Sequence, residues 1–176
     1  MKDELSSVLI TKRTPKAYVE RLASDCKRCG HCCSYDSGIF LDQDIKKAAD
    51  LLRMPEPEFR KQFMEHKEIF NKKVHKARLR REGKMYGPCI FLEENRCVIQ
   101  DAKPLHCTVA SGCNEYGREL NIWYMLNYVV DEHDPEAIRQ WAQYLKTHPT
   151  IPGGSVEELV PDKDRREKML NYELLR

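Results

Sequence analysis

The chain has 176 residues, and its 30 Lys+Arg against 28 Asp+Glu leave a formal charge of +2. That near-balance excludes an electrostatic drive toward DNA or an anionic membrane, and 41% apolar against 33% charged residues exclude wholesale disorder. No run approaches the ~20 consecutive apolar residues of a membrane helix, and Met1–Val8 lacks the apolar stretch of a secretory signal, so no membrane and a cytoplasmic location are expected.

In chain order, residues 1–25 read as a polar lead-in followed by a short helix with Tyr18, Val19 and Leu22 as its apolar positions. Cys26 to Cys33 form a tight loop. Ile39-Phe40-Leu41 is a short apolar run, and Asp42 is placed to cap a helix carrying Ile45, Ala48, Ala49 and Leu52. Pro55 and Pro57 interrupt it. A second helix starts near Glu56, and Phe59, Phe63, Phe70, Val74 and Ala77 continue its stripe; Val74 to Arg81 reads alternatively as an exposed strand. Gly87-Pro88 punctuates. Cys89-Ile90-Phe91-Leu92 and Cys97-Val98-Ile99 read as a hairpin around Glu93-Glu94-Asn95-Arg96. Beyond Cys113, Leu120 to Val130 is helical, and Asp134-Pro135 opens another helix with Ile138, Trp141 and Leu145. Pro149, Pro152, Gly153 and Gly154 make a linker, and the tail ends in one amphipathic helix through Met169, Leu170, Leu174 and Leu175. The expected fold is α+β and mostly helical: a small metal-centred, cysteine-rich core with a short β-hairpin, flanked by helices. Three segments follow, a helical lead-in (1–25), a cysteine-cluster metal-binding domain (26–115) and a helical C-terminal extension (116–176).

Eight cysteines stand at positions 26, 29, 32, 33, 89, 97, 107 and 113. A disulfide framework needs an oxidising compartment, and Cys26, Cys29, Cys32 and Cys33 lie too close to pair conveniently with one another, so metal ligation is the favoured reading. In C-x2-C both thiolates face one ion while backbone N–H groups turn toward the sulfurs. Gly30 suits the left-handed conformation such a loop requires. Cys26-x2-Cys29-x2-Cys32 is the local spacing that holds three corners of a 4Fe–4S cubane; the same loop serves equally as a zinc knuckle. Cys32 and Cys33 are adjacent and diverge, so either one is spare or the pair serves two metal atoms. Cys89, Cys97 and Cys107 complete the site from a distance, which makes metal binding part of the folding free energy. In a regular hairpin Cys97 sits opposite Leu92 and faces away from Cys89. An irregular or bulged turn with Asn95 in the left-handed region is therefore predicted.

The order Cys26-x2-Cys29-x2-Cys32-Cys33, Gly87-Pro88-Cys89, Asn95-Arg96-Cys97-Val98-Ile99, Lys103-Pro104-x2-Cys107 resembles the CxxCxxCC cysteine-cluster family (YkgJ-like), described as a zinc- or iron-chelating domain, over roughly residues 24–110. The resemblance implies seven metal ligands: Cys26, Cys29, Cys32, Cys33, Cys89, Cys97 and Cys107. Cys113 lies outside the pattern, and Lys103 replaces the family's usual Arg, keeping the charge without the planar fork.

His31 and His106 flank cluster cysteines and read first as hydrogen-bonding supports, then as ligands. From Lys72 to Lys84 there are seven Lys/Arg against one acid, Glu82, a solvated face ahead of a nucleic-acid strip. Trp123, Tyr124, Tyr128 and Trp141 read as core, or as a surface for a protein partner in the C-terminal extension; nucleic acid ranks behind. His66 and His75 read as solvated. No G-x-S-x-G, G-x-G-x-x-G, P-loop or H-E-x-x-H string occurs, so no catalytic or organic-cofactor residue is assigned. The leading function is an intracellular metal-binding protein holding an iron–sulfur cluster, slightly ahead of zinc, in a redox, metal-handling or structural role. The alternative is a zinc-stabilised nucleic-acid or protein interaction module. Some flagellin lysine methylases are similar in carrying a cysteine cluster, but this chain is short and shows no separate cofactor motif, so an enzyme ranks last.

Overall fold

A computed structural model describes residues 8–23 and 26–175; the start of the polar lead-in lies outside the described residues. Helices α1 (Lys16–Leu22), α2 (Asp42–Leu51) and α3 (Glu56–Phe63) precede a hairpin of β2 (Met64–Ile69) and β3 (Lys72–Ala77), with β1 (Ile39–Phe40) on the far edge of β3. A second hairpin, β4 (Leu92–Glu93) and β5 (Arg96–Cys97), leads to α4 (Leu105–Val109), α5 (Gly117–Tyr128), α6 (Pro135–Leu145), α7 (Val156–Leu159) and α8 (Lys163–Leu170). The fold is α+β and mostly helical, as expected.

The antiparallel register Ile39↔Lys76 and Phe40↔His75, with Glu65↔Lys76 and Met64↔Ala77, sorts side chains onto two faces of the three-stranded sheet by simple alternation. Ile39 and Val74 join the larger apolar cluster with Trp123, Tyr124, Ile138 and Trp141. Phe40, Met64 and Ala77 join a smaller one with Ile45, Phe59, Phe91 and Ile99. The sheet thus divides two cores, and Trp123, Tyr124 and Trp141 are buried as expected of core residues.

Four expectations are corrected. Asp42 is the first residue of α2 and does not cap it. The Leu41 N–H is instead taken by Asp44 Oδ2 at 3.0 Å, which leaves Asp42 to pair with Arg60 at 2.8 Å. The helical stripe from Phe59 stops at Phe63, and the chain turns into strand: Val74 and Ala77 lie on β3 and Phe70 at the hairpin tip. Its two-residue turn puts Phe70 (φ +48°) and Asn71 (φ +57°) in the left-handed region, the conformation of a tight primed turn. Tertiary contacts outweigh helical periodicity here. The Phe70 ring packs on Trp141 and Tyr144 at 5.2 and 5.7 Å, and the Asn71 side chain donates to Asp134 at 2.7 Å. Third, the tail carries two short helices rather than one, because Pro161 stops α7 and Asp162 caps α8 through the Arg165 N–H. Met169 is buried there, while Leu175 lies past the helix and is exposed. Fourth, the turn between β4 and β5 is regular, with Cys97 opposite Leu92 and both Glu94 and Asn95 left-handed.

Asp134 is an N-cap as expected, accepting from the Glu136 and Ala137 N–H groups at 2.9 and 3.4 Å, so the same carboxylate caps α6 and holds the β2–β3 tip. Phe70→Ala, which removes that anchor from a half-buried position, is expected to cost about 2 kcal/mol, read as a lower urea midpoint with an unchanged m-value.

Candidate metal centre

All eight cysteines line one cavity of about 200 Å³, and none is in a disulfide. Three separate stretches deliver them. The Cys26–Cys33 loop is shaped by Arg28 (φ +54°) and Gly30 (φ +72°), and Arg28 N–H points at Cys26 Sγ, 3.4 Å away. Gly30 is required twice over: a Cβ there would also come within 2.8 Å of Asn95 Oδ1, so the β4–β5 turn sits directly over the loop. A 3-10 turn at Cys32–Ser34 follows.

Cys89 reaches the cavity despite the regular hairpin. The Leu92 N–H returns to the Cys89 carbonyl at 2.9 Å, a turn that breaks the alternation of faces on which the irregular-loop expectation rested. Cys89 itself bridges Leu79 beyond β3, and its N–H donates to the Cys33 carbonyl at 2.7 Å, fixing the two thiols beside each other. Cys97 ends β5, and Cys107 lies in α4 just after Lys103-Pro104. A Cβ on Gly38 would overlap Cys107 Sγ; this glycine is a cradle for a sulfur. Cys113 lies with Cys29, to which its thiol is hydrogen-bonded, and the neighbouring Gly112 N–H donates to Cys32 Sγ at 3.4 Å.

Burial pushes the Cys33 and Cys97 thiols up and Cys89 up to about 11, and it raises Cys107 further still; the mutual repulsion of their thiolates adds to the effect at Cys33, Cys89 and Cys107. Lys103 works the other way on Cys33, Cys97 and Cys107. Cys113 is held below its ordinary value, first by the Lys27 N–H and also by Cys29 and Ser111.

His106 sits by the cavity floor with both ring nitrogens occupied. Nδ1 accepts the Ile39 N–H at 3.1 Å, and Nε2 meets Asn121 Oδ1 at 3.0 Å, which fixes the Nε2–H tautomer. Burial lowers it to about 4. Its two hydrogen bonds tie β1 to α5. His31 is exposed and packs edge-on against Tyr35 at 5.6 Å.

Beside the floor, Lys76 is buried and its ammonium meets Asp36 at 2.7 Å. This pair, Gly38 and Cys113 were missed by sequence reasoning. The first two carry no motif; Cys113 was visible as a thiol but fell outside the matched spacing. Of the seven cations from Lys72 to Lys84, five are engaged within the chain. Lys72 donates to Tyr128 O, Lys76 pairs with Asp36, Arg78 donates to Met64 O, Arg80 donates to the Cys89 and Leu92 carbonyls, and Arg81 pairs with Glu65.

Among the described residues, no three Cys, His, Asp or Glu side chains are already grouped around a single ion position; the cysteines line the walls of the cavity. The donor set itself fits. Thiols gathered in a protein wall, with N–H groups directed at sulfur and a glycine vacated for one of them, are ligands for zinc or iron centres and a poor lining for an organic anion.

These residues lie inside a match to the family described as "CxxCxxCC: Putative zinc- or iron-chelating domain", spanning residues 25–125. That is more than half of the sequence, and the chain belongs to this family. It is also 32% identical over 92 residues to an uncharacterized protein of Methanocaldococcus jannaschii, covering 51% of this chain and 45% of that protein. The chain therefore matches under half the length of this relative. No solved structure matches it. Among the described residues no helix is long and apolar enough to cross a membrane.

Two predictions follow from this geometry. Gly38→Ala displaces Cys107 and is expected to cost about 1–3 kcal/mol and to lower the metal content of the purified protein, measured by thermal melt and elemental analysis. At Asp36, burial alone would raise the carboxyl, but the Lys76 hydrogen bond, the Ser37 N–H and the Lys76 charge hold it below its ordinary value. A depressed carboxyl stabilises the fold fully above about pH 4, its ordinary range, and that contribution is lost as acid titrates through the lower folded value. Asp36→Asn, which strands the buried ammonium, is expected to cost about 1–2 kcal/mol at pH 7 and to remove this part of the acid sensitivity in pH-dependent melts.

Proposed function

We propose that the chain is a metal-binding protein of a reducing, cytoplasmic compartment that holds an iron–sulfur centre, ahead of zinc, through cysteine thiolates. Its role is redox, metal handling or structural support. One observation carries the reading: three distant stretches bring all eight sulfurs to one cavity of about 200 Å³. That is smaller than the roughly 300–1,000 Å³ of organic-ligand pockets and suits a compact inorganic occupant. The family description supports zinc or iron equally. The preference for iron–sulfur rests on donor count and spacing, since eight thiols exceed the four that one structural zinc uses, and Cys26-x2-Cys29-x2-Cys32 is a cubane spacing.

Iron–sulfur would supply one-electron transfer at this place; zinc would supply a cross-link. In either case the protein's own groups do the positioning. Cys33 and Cys89 are set by a shared backbone hydrogen bond, Cys107 by the Gly38 cradle, and Lys103 offsets part of the thiolate charge. The competing nucleic-acid reading loses support from the basic strip, most of whose cations bind carbonyls or carboxylates of the same chain.

Anaerobic purification followed by metal and acid-labile sulfide analysis and a visible spectrum tests the proposal. Iron and sulfide in comparable amounts with broad visible absorption are expected. A colourless protein with zinc would remove the iron–sulfur half, and a chain that takes up neither metal would overturn the reading. Stripping the metal with a chelator is expected to lower Tm, because binding and folding share one free energy.

A further inference from the structure

Building on the thiolate–metal reading above, we propose that the cavity contains two four-sulfur sites: an inner one of Cys33, Cys89, Cys97 and Cys107, and an outer one of Cys26, Cys29, Cys32 and Cys113. The division begins at the adjacent pair. Neighbouring residues project their side chains apart, and Cys32 and Cys33 are tied to different stretches of the chain. Cys32 Sγ faces the 111–113 segment, accepting the Gly112 N–H at 3.4 Å. The Cys33 carbonyl takes the Cys89 N–H at 2.7 Å, which ties this residue to the 89–97 stretch.

The inner four are assembled by the backbone bond between Cys89 and Cys33 and by Gly38, which makes room for Cys107 Sγ; charge on each of Cys33, Cys89, Cys97 and Cys107 is felt among the four, while Cys33 also feels Cys26 and Cys32. All four are partly buried, and Lys103 acts on three of them. The outer four have their own signature. Cys29 and Cys32 are exposed, Cys113 is hydrogen-bonded to Cys29, and three backbone N–H groups point at outer sulfurs: Arg28 at Cys26, Lys27 at Cys113 and Gly112 at Cys32. Amides directed at sulfur favour the thiolate. Gly112 approaches so closely that a Cβ would stand 3.0 Å from Cys32 Sγ, which seats the Cys113 segment against the Cys26–Cys33 loop. Cys26 also neighbours Cys33 and Cys97, placing it on the boundary between the sets.

This partition uses every cysteine and explains why Cys113 lies at the cavity although it stands outside the seven-cysteine pattern. It is the fourth, sequence-distant ligand to the three corners supplied by Cys26-x2-Cys29-x2-Cys32, and Cys33 is released to the inner set. The outer site faces solvent and is the exchangeable one; the inner site is walled in and structural.

The test is an anaerobic titration of the metal-free full chain with Co²⁺, which reports thiolate ligation through sulfur-to-metal charge-transfer absorption. Wild type is expected to take up about two equivalents, one for each tetrahedral four-sulfur set. Cys113→Ser, at the solvent-facing edge where folding is not at stake, is expected to weaken the second equivalent at least ~10-fold and leave the first unchanged, a difference of about 1.4 kcal/mol. Cys29→Ser/Cys113→Ser is expected to retain about one equivalent with unchanged far-UV circular dichroism. Wild type saturating at a single equivalent, or a Cys113→Ser titration superimposable on wild type, overturns the two-site division. A wild type with no charge-transfer band at all overturns the thiolate–metal reading beneath it, so the two failures are told apart.

Discussion

The constraint on which this molecule turns is the crowding of ionisable sulfurs in a partly dehydrated space. As thiols they are tolerable neighbours. As thiolates, Cys33, Cys89, Cys97 and Cys107 repel one another, and burial penalises each charge further. One lysine, Lys103, cannot offset four negative charges. A cation of higher charge supplies what is missing, and because thiolates are the species that bind zinc and iron, ionisation and ligation become one event. The walls are built for that event: Gly38 vacates the space that Cys107 Sγ occupies, and Gly30 that of Asn95.

The surrounding fold holds three stretches of chain at the cavity without relying on a large local core. The Cys26–Cys33 loop has almost no apolar residues and leans on the β4–β5 turn. The Cys107 helix is seated by Asp44, whose carboxylate takes the Leu41 and Leu105 N–H groups. The three-stranded sheet lies between two apolar clusters, and its hairpin tip is fixed by Phe70 and Asn71 to the C-terminal helices. The cysteine-bearing elements are therefore joined to the C-terminal helices through the sheet and through α4, whose Leu105 and Val109 share a core with Leu120 and Tyr124.

How legible was this in the sequence? The thiol spacing announced a metal site and its family, and Gly30 and Asn95 were read correctly as left-handed positions because short-range steric rules govern them. Helices α1, α5 and α6 followed from periodicity and capping. What was lost depended on distant contacts. The stripe from Phe59 to Ala77 has helical spacing, yet Phe70 pays for its left-handed backbone through Trp141 and Tyr144, more than sixty residues away in sequence. The β4–β5 hairpin was expected to be irregular because Cys89 was assumed to lie on the strand; a turn at Ile90-Phe91 frees it. Cys113 fell outside the matched spacing, and only the folded chain, which lines the cavity with it, bonds it to Cys29 and packs Gly112 against Cys32, shows that it belongs with the others.

The double anchoring of His106 has a consequence for how protons are counted. With one nitrogen accepting from β1 and the other donating to α5, the imidazole stays uncharged throughout the neutral range. His106 therefore contributes no protons when a metal enters, and a calorimetric proton count made in buffers of different ionisation enthalpy reports the cavity's other ionisable groups, the thiols foremost.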